Sequence, residues 1–168
     1  MLKILVSSCL LGETVRYDGK NKLIENDILR LWVDQDRVIS FCPEVSAGLP
    51  VPRTAAEIAG GDGADVLDGT ARVKDKNGIC VTKEFIEGAQ LALSMCRQHA
   101  IKVVILARRS PSCGNNQIYD GSFTGSLISG AGVTAALLQQ NGIKVFNQTD
   151  LSEADRFINT LDIMTESG

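Results

Sequence analysis

The chain has a single histidine, His99, and no Cys-x-x-Cys pair, so neither a zinc ribbon nor a thioredoxin-type redox pair is expected. Its five cysteines are an odd number at wide spacings, which excludes the even disulfide framework of a small secreted domain. Thiols used in this way suit a reducing compartment, the cytoplasm. No apolar run approaches the ~20 residues of a membrane span. Val6-Ser7-Ser8-Cys9 resembles a lipoprotein cleavage box, but only Ile4-Leu5-Val6 precede it as an apolar stretch, short of the ~7–15 residues of a signal core. Positive charge is not in excess either: 17 Lys and Arg against 20 Asp and Glu give a net charge of −3. A general nucleic-acid surface needs the opposite balance. A local basic spot, such as Arg108-Arg109 beside Cys113, is still allowed. Nucleotide loops are missing too. Gly60-Gly61-Asp62-Gly63 has no Gly-Lys-Ser/Thr ending, and the glycines at 121, 125, 130 and 132 fit no dinucleotide fingerprint.

What is present is an alternation of short apolar runs with helical periodicities in 168 residues, enough for one domain spanning 1–168. Strands are expected at 2–7, 37–41, 101–106 and 143–146. Helices are expected at 21–33, with Ile24, Ile28 and Leu31 on one face, from an N-cap at Thr82, at 130–140, and from an Asp150/Glu153 cap pair onward. The Gly- and Asp-rich stretch 60–78 reads as a small hairpin excursion. The resulting fold class is α/β: a Rossmann-like, mostly parallel sheet with helices on both faces.

Three cysteines lie where an expected strand gives way to a turn: Ser7-Ser8-Cys9-Leu10-Leu11-Gly12, Phe41-Cys42-Pro43-Glu44 and Ser110-Pro111-Ser112-Cys113-Gly114. Free cysteine packs well in a core, and any one of these alone reads that way. Together they occupy the strand ends at which open parallel sheets bind ligands. Thiolates from three distant segments suit zinc or an iron–sulfur cluster, and three of them leave one iron of a four-iron cluster without a protein ligand. Cys80 and Cys96 read as packing residues. Near the thiols, Glu44 is either a loop carboxylate or a proton-transfer group. Ser110 and Ser112 supply turn hydroxyls or contacts to a bound molecule. Arg16 can clamp an anion, a carbonyl or its own Asp18. Arg53 and Glu57 suit an ion pair as well as a ligand.

At these residues the sequence resembles the TudS-like thiouracil desulfidase family. The matching blocks are Cys9-Leu10-Leu11-Gly12 with Val15-Arg16-Tyr17-Asp18-Gly19, and Cys42-Pro43-Glu44-Val45 with Gly48-Leu49-Pro50 and Pro52-Arg53. Val81-Thr82 with Phe85 and Gly88-Ala89 follows, then Arg109-Ser110-Pro111-Ser112-Cys113-Gly114 and Tyr119-Asp120-Gly121. They span nearly the whole chain in order. Ala107 departs from a pattern that often carries lysine there. The resemblance implies a [4Fe-4S] cluster on Cys9, Cys42 and Cys113, with Glu44 and Ser110 as the catalytic pair. Ser8, Ser112, Arg16 and Arg53 are expected around the substrate.

The implied reaction is non-redox: the thiocarbonyl sulfur meets the open iron, Glu44 assists attack by water, Ser110 relays a proton, and sulfide and the oxo-base leave. The partner is then a small thiolated base, with no membrane and no large nucleic acid. Two alternatives stay open at this point. One is a cluster enzyme acting on thiolated RNA, and the other is a zinc- or thiol-based binding module without catalysis.

Overall fold

A computed structural model describes residues 1–167. The first strand, β1 (Ile4–Ser7), is buried at every position, as a strand covered on both faces must be. It pairs in parallel with β2 (Val38–Phe41) on one side and β5 (Val103–Leu106) on the other, and β8 (Lys144–Asn147) extends the sheet in parallel beyond β5. The order is β2-β1-β5-β8. The connection from β1 therefore reverses direction between its two neighbours, making the crevice at the carboxyl ends of β1, β2 and β5 a topological switch point.

Four helices flank this sheet in two packed pairs, α1 (Asp27–Asp34) with α6 (Leu151–Glu166) and α4 (Thr82–Gln98) with α5 (Val133–Gln140). The main core joins the strands to Trp32, Ala92, Cys96, Leu138 and Ile158. The stretch expected as a hairpin excursion is antiparallel β3 (Ala56–Ala59) and β4 (Arg72–Asp75), with a helix, α3 (Gly63–Asp68), inserted between them. Asp62 starts that helix through a capping box with Asp65. A second small core, with Ile58, Val73, Phe85 and Val133, fastens the excursion to α4 and α5. A further hairpin, β6 (Gln117–Tyr119) with β7 (Leu127–Ser129), was not expected from sequence. Among the described residues no helix is long and apolar enough to cross a membrane.

Several local expectations are corrected. Helix α1 begins at Asp27, not near residue 21, because the Asn26 side chain accepts the N–H groups of Ile28 and Leu29 as its N-cap. The preceding residues are held elsewhere, with the Ile24 amide donating to the Leu10 carbonyl. Leu29 and Trp32 are therefore the buried positions, and Leu31 is exposed. Thr82 is not a cap: its hydroxyl accepts the Val73 amide at 2.9 Å and ties α4 to β4. Asp150 makes no side-chain cap on α6. Cys96 is buried as expected, and burial pushes its thiol up to about 11. Cys80 is exposed, so it is not a packing residue.

Two glycines hold the ligand-end loops in place by close approach. Gly132 precedes α5, and a Cβ there would stand 2.5 Å from the Ser112 carbonyl carbon. The contact lets the first amides of α5 donate to the loop that carries Cys113: Val133 to the Pro111 carbonyl at 2.8 Å, and Thr134 to that of Ser112 at 2.9 Å. Gly88 in α4 does the same for the second loop, where a Cβ would meet the Pro43 carbonyl oxygen at 2.4 Å. Gly88→Ala is accordingly expected to cost about 1–3 kcal/mol, the usual penalty for overpacking. Urea unfolding checks this, and an unchanged midpoint would show that the contact yields freely.

Candidate active site

The strand ends lead directly into the site. After β1 the chain tightens into a 3₁₀ turn, Ser8–Leu11, closed by Gly12 at φ 95°, a conformation glycine takes without strain. Cys9 sits in this turn, and its carbonyl accepts the Lys22 amide at 2.8 Å. The segment after Gly19 is thereby folded back over the turn. After β2, Pro43 cannot continue the ladder and opens a short helix, α2 (Pro43–Ser46), with Cys42 extended at its N-cap and Glu44 in its first turn. After β5, Arg108 and Arg109 lead into the Ser110–Cys113 turn. The Ser110 hydroxyl oxygen accepts the amides of Ser112 and Cys113 at 3.1 and 3.2 Å.

Cys9, Cys42 and Cys113 all line one cavity of about 360 Å³, together with Ser8, Glu44 and Ser110. Cys80 and Cys96 take no part in it. Burial pushes all three thiols up from the ordinary cysteine range, and the other two cysteines add to this for Cys113. Hydrogen bonds act the other way. The amides of Val45 and Glu44 favour a thiolate at Cys42, and the Ser7 hydroxyl donates to the Cys113 sulfur at 3.8 Å while accepting the Ala107 amide.

Glu44 is opposed by two forces. Burial raises its carboxyl, while the Arg53 guanidinium, 3.4 Å away, draws it down, and burial wins. Arg53 is held in turn by the carbonyls of Val15 and Pro50, each at 3.1 Å. Of its two readings Arg53 thus takes the ion pair, with Glu44, and it still lines the cavity. Arg16 stands 3.8 Å from Asp18, the intramolecular choice among its three readings, and still borders the cavity. The Ser8 hydroxyl is hydrogen-bonded to that of Ser40 at 2.7 Å. Ser112 lies apart: it is fully buried, bonded to Thr134 at 2.9 Å, and outside the cavity wall. Glu57 accepts the amides of Gly121 and Phe123 and so anchors the turn that closes one side.

The sequence carried no sign of Ser7, Lys22 or the aromatic wall at the site, and it marked Arg109 only as half of a basic doublet and as the first residue of the block ending in Cys113-Gly114. Both tyrosines and two of the five phenylalanines, Phe41 and Phe123, line the cavity. Lys22 is half-buried there. Burial pushes its amine down, and Arg16, Arg108 and Arg109 add to this. Arg109 and Phe123 also hold left-handed backbone, at φ 67° and 59°. That conformation costs bulky residues about 1–2 kcal/mol and gathers at functional sites.

The donor set fits an iron–sulfur cluster better than a single ion. Four-coordinate zinc at a Zn–S distance of ~2.3 Å draws its sulfurs to about 3.8 Å from one another. Among the described residues no three His, Cys, Asp or Glu groups are gathered around one point in that way. Three thiols brought by three loops to one cavity suit a polynuclear centre, in which each sulfur takes a different iron. The amide and hydroxyl donors at the sulfurs and the cations at the rim suit its anionic thiolates.

Comparisons with known proteins agree in extent. The model of the 2-thiouracil desulfurase family matches residues 4–150. An uncharacterized protein of Bacillus subtilis (strain 168), YbbK, is 44% identical over 150 residues, covering 89% of this chain and 98% of its own. A solved structure described as a [4Fe-4S]-dependent thiouracil desulfidase, TudS, superposes with a TM-score of 0.87 at 41% identity over 95% of this chain and 99% of that one. With its parallel sheet, its cysteine-lined switch-point cavity and a family match running through both, the chain belongs to the 2-thiouracil desulfurase family.

Proposed function

We propose that this chain is one desulfidase unit that converts thiouracil, or a closely related thiobase, to the oxo-base with release of sulfide. The observation that carries this reading is the meeting of Cys9, Cys42 and Cys113 with the Glu44–Arg53 pair in one cavity. Cys9, Cys42 and Cys113 would hold a [4Fe-4S] cluster, which supplies a Lewis-acidic iron for the thiocarbonyl sulfur. A reducing cytoplasm suits such thiolate ligation.

The chain's own residues supply the rest. Aromatic walls favour one flat ring over a charged polymer. Glu44, whose side chain pairs with Arg53 alone among the described residues, takes the proton of the water that attacks the thiocarbonyl carbon. Arg53 fixes the orientation of its carboxylate. Ser110 already accepts two amides, so its own O–H is left to donate into the cavity, where it can pass a proton toward the departing sulfur. Overall, C=S and water become C=O and hydrogen sulfide. No oxidation state changes, so no electron donor is consumed.

Three outcomes test this. Cys113→Ser is expected to lose bound iron and sulfide after anaerobic reconstitution, whereas Cys96→Ser keeps both, since a hydroxyl is a poor iron ligand. Equal iron in the two variants would remove Cys113 from the ligand set. Glu44→Gln should retain the cluster and lose about 10²–10⁴-fold in rate; desulfuration at the wild-type rate would end its role as base. Turnover of free thiouracil should proceed without added reductant. Strict dependence on one, or activity confined to thiolated RNA, would require a different reaction or substrate.

A further inference from the structure

Among the described residues, two buried side-chain N–H groups lack a partner, the Nε of Arg53 and that of Arg109. Arg53 is otherwise engaged with Glu44 and two carbonyls. Arg109 is not: among the described residues its guanidinium makes no hydrogen bond and no ion pair. Arg108 is exposed, while Arg109 and Lys22 are both partly buried. The Nε of Arg109 is shielded from water, and the side chain lines the cavity that holds Cys113 and Glu44.

A buried N–H group without a partner is costly, and so is a left-handed arginine backbone. The same short segment carries both. Backbone pairing of Arg109 with Ile118 beside the Cys113 loop holds it there. A cavity occupant that brings an oxygen acceptor to the planar guanidinium offsets the cost of leaving it unpaired. A thiolated uracil brings one, because its remaining carbonyl and its thiocarbonyl flank the same ring N–H. With sulfur directed toward the cysteines, the oxygen lies within one ring's width, in the same cavity.

Resting on the function proposed above, we infer that Arg109 recognises the remaining carbonyl oxygen of the thiobase, and so selects oxo-thiopyrimidines over their amino counterparts. An amino group at that position would set donor against donor and leave the guanidinium unpaired. Sites built around such a hydrogen bond reject the analogue that lacks it far more strongly than apolar pockets reject size differences.

The test uses cluster-reconstituted protein with uracil and cytosine as probes, measured by equilibrium binding, and with 2-thiouracil and 2-thiocytosine as substrates. Asparagine tolerates left-handed backbone, so Arg109→Asn removes the guanidinium without reshaping the loop. Arg109→Lys keeps the charge but loses the fork, and serves if the first variant proves unstable. Arg109→Asn should weaken uracil binding about 10- to 100-fold, the loss of one charge-assisted hydrogen bond, with cytosine binding unchanged. The wild-type preference for 2-thiouracil over 2-thiocytosine should shrink in step, while iron content and circular dichroism stay the same. Failure of the wild type to bind uracil, or equal losses for uracil and cytosine, would overturn the inference. Uracil bound through Arg109 by a protein that desulfurates nothing would keep the contact and remove the reaction. Desulfuration with preference unchanged by Arg109→Asn would do the reverse.

Discussion

The site depends on β1 lying between β2 and β5, with both pairings parallel. The register that sets Ser7 beside Phe41 and Val6 beside Ile105 makes the three strands end at one edge of the sheet. The loops that follow have no other side on which to emerge. Cys9 comes two residues after β1 and Cys42 one residue after β2. Cys113 is carried back by a tight turn whose carbonyls receive the first amides of α5. A slip of one residue in either pairing would reverse the inward and outward faces of a strand and separate the thiols. Gly88 and Gly132 belong to the same constraint, since each allows a helix to press against a loop bearing a cysteine.

Placing ionisable groups in this crevice creates an electrostatic problem that a bound group would resolve. Burial disfavours charge on the thiols and on Glu44, while Lys22 and the arginines around the cavity hold positive charge with few protein partners. Thiolates on a metal centre bring compensating negative charge to the same space. Arg53 and Arg109 divide two tasks at the cavity between them: one orients a protein carboxylate, and the other is left for an acceptor from outside. The tyrosines and Phe123 wall the remaining space, and Glu57 keeps the Phe123 turn in place.

The legible features in the sequence were those written locally. A short apolar run followed by Cys and then Gly or Pro reports both a central strand and the place where it stops, and Cys42-Pro43 reads this way without help from the rest of the chain. The alternation of such runs with helical faces was enough for the α/β class. Contacts made across the chain were less accessible. Thr82 looked like a cap, yet its hydroxyl serves β4. Arg53 suited an ion pair or a ligand equally, and its partner, Glu44, lies nine positions away and folded back upon it. Ser112 shares the turn of Ser110 but points into the packing of α5. Lys22 left no local mark at all, because its place depends on a loop folding over the Cys9 turn. The β6–β7 hairpin was hidden among turn residues, with strands too short to show a period.

The central claim is that three protein thiolates leave one iron of a cubane open to the substrate. Mössbauer spectroscopy of the ⁵⁷Fe-reconstituted protein, recorded with and without thiouracil, addresses it most directly. The account predicts four irons and four sulfides per chain, with one iron distinct from the other three and its signal alone changing when the thiobase binds. Four equivalent irons indifferent to thiouracil, or a single zinc without sulfide, would contradict it.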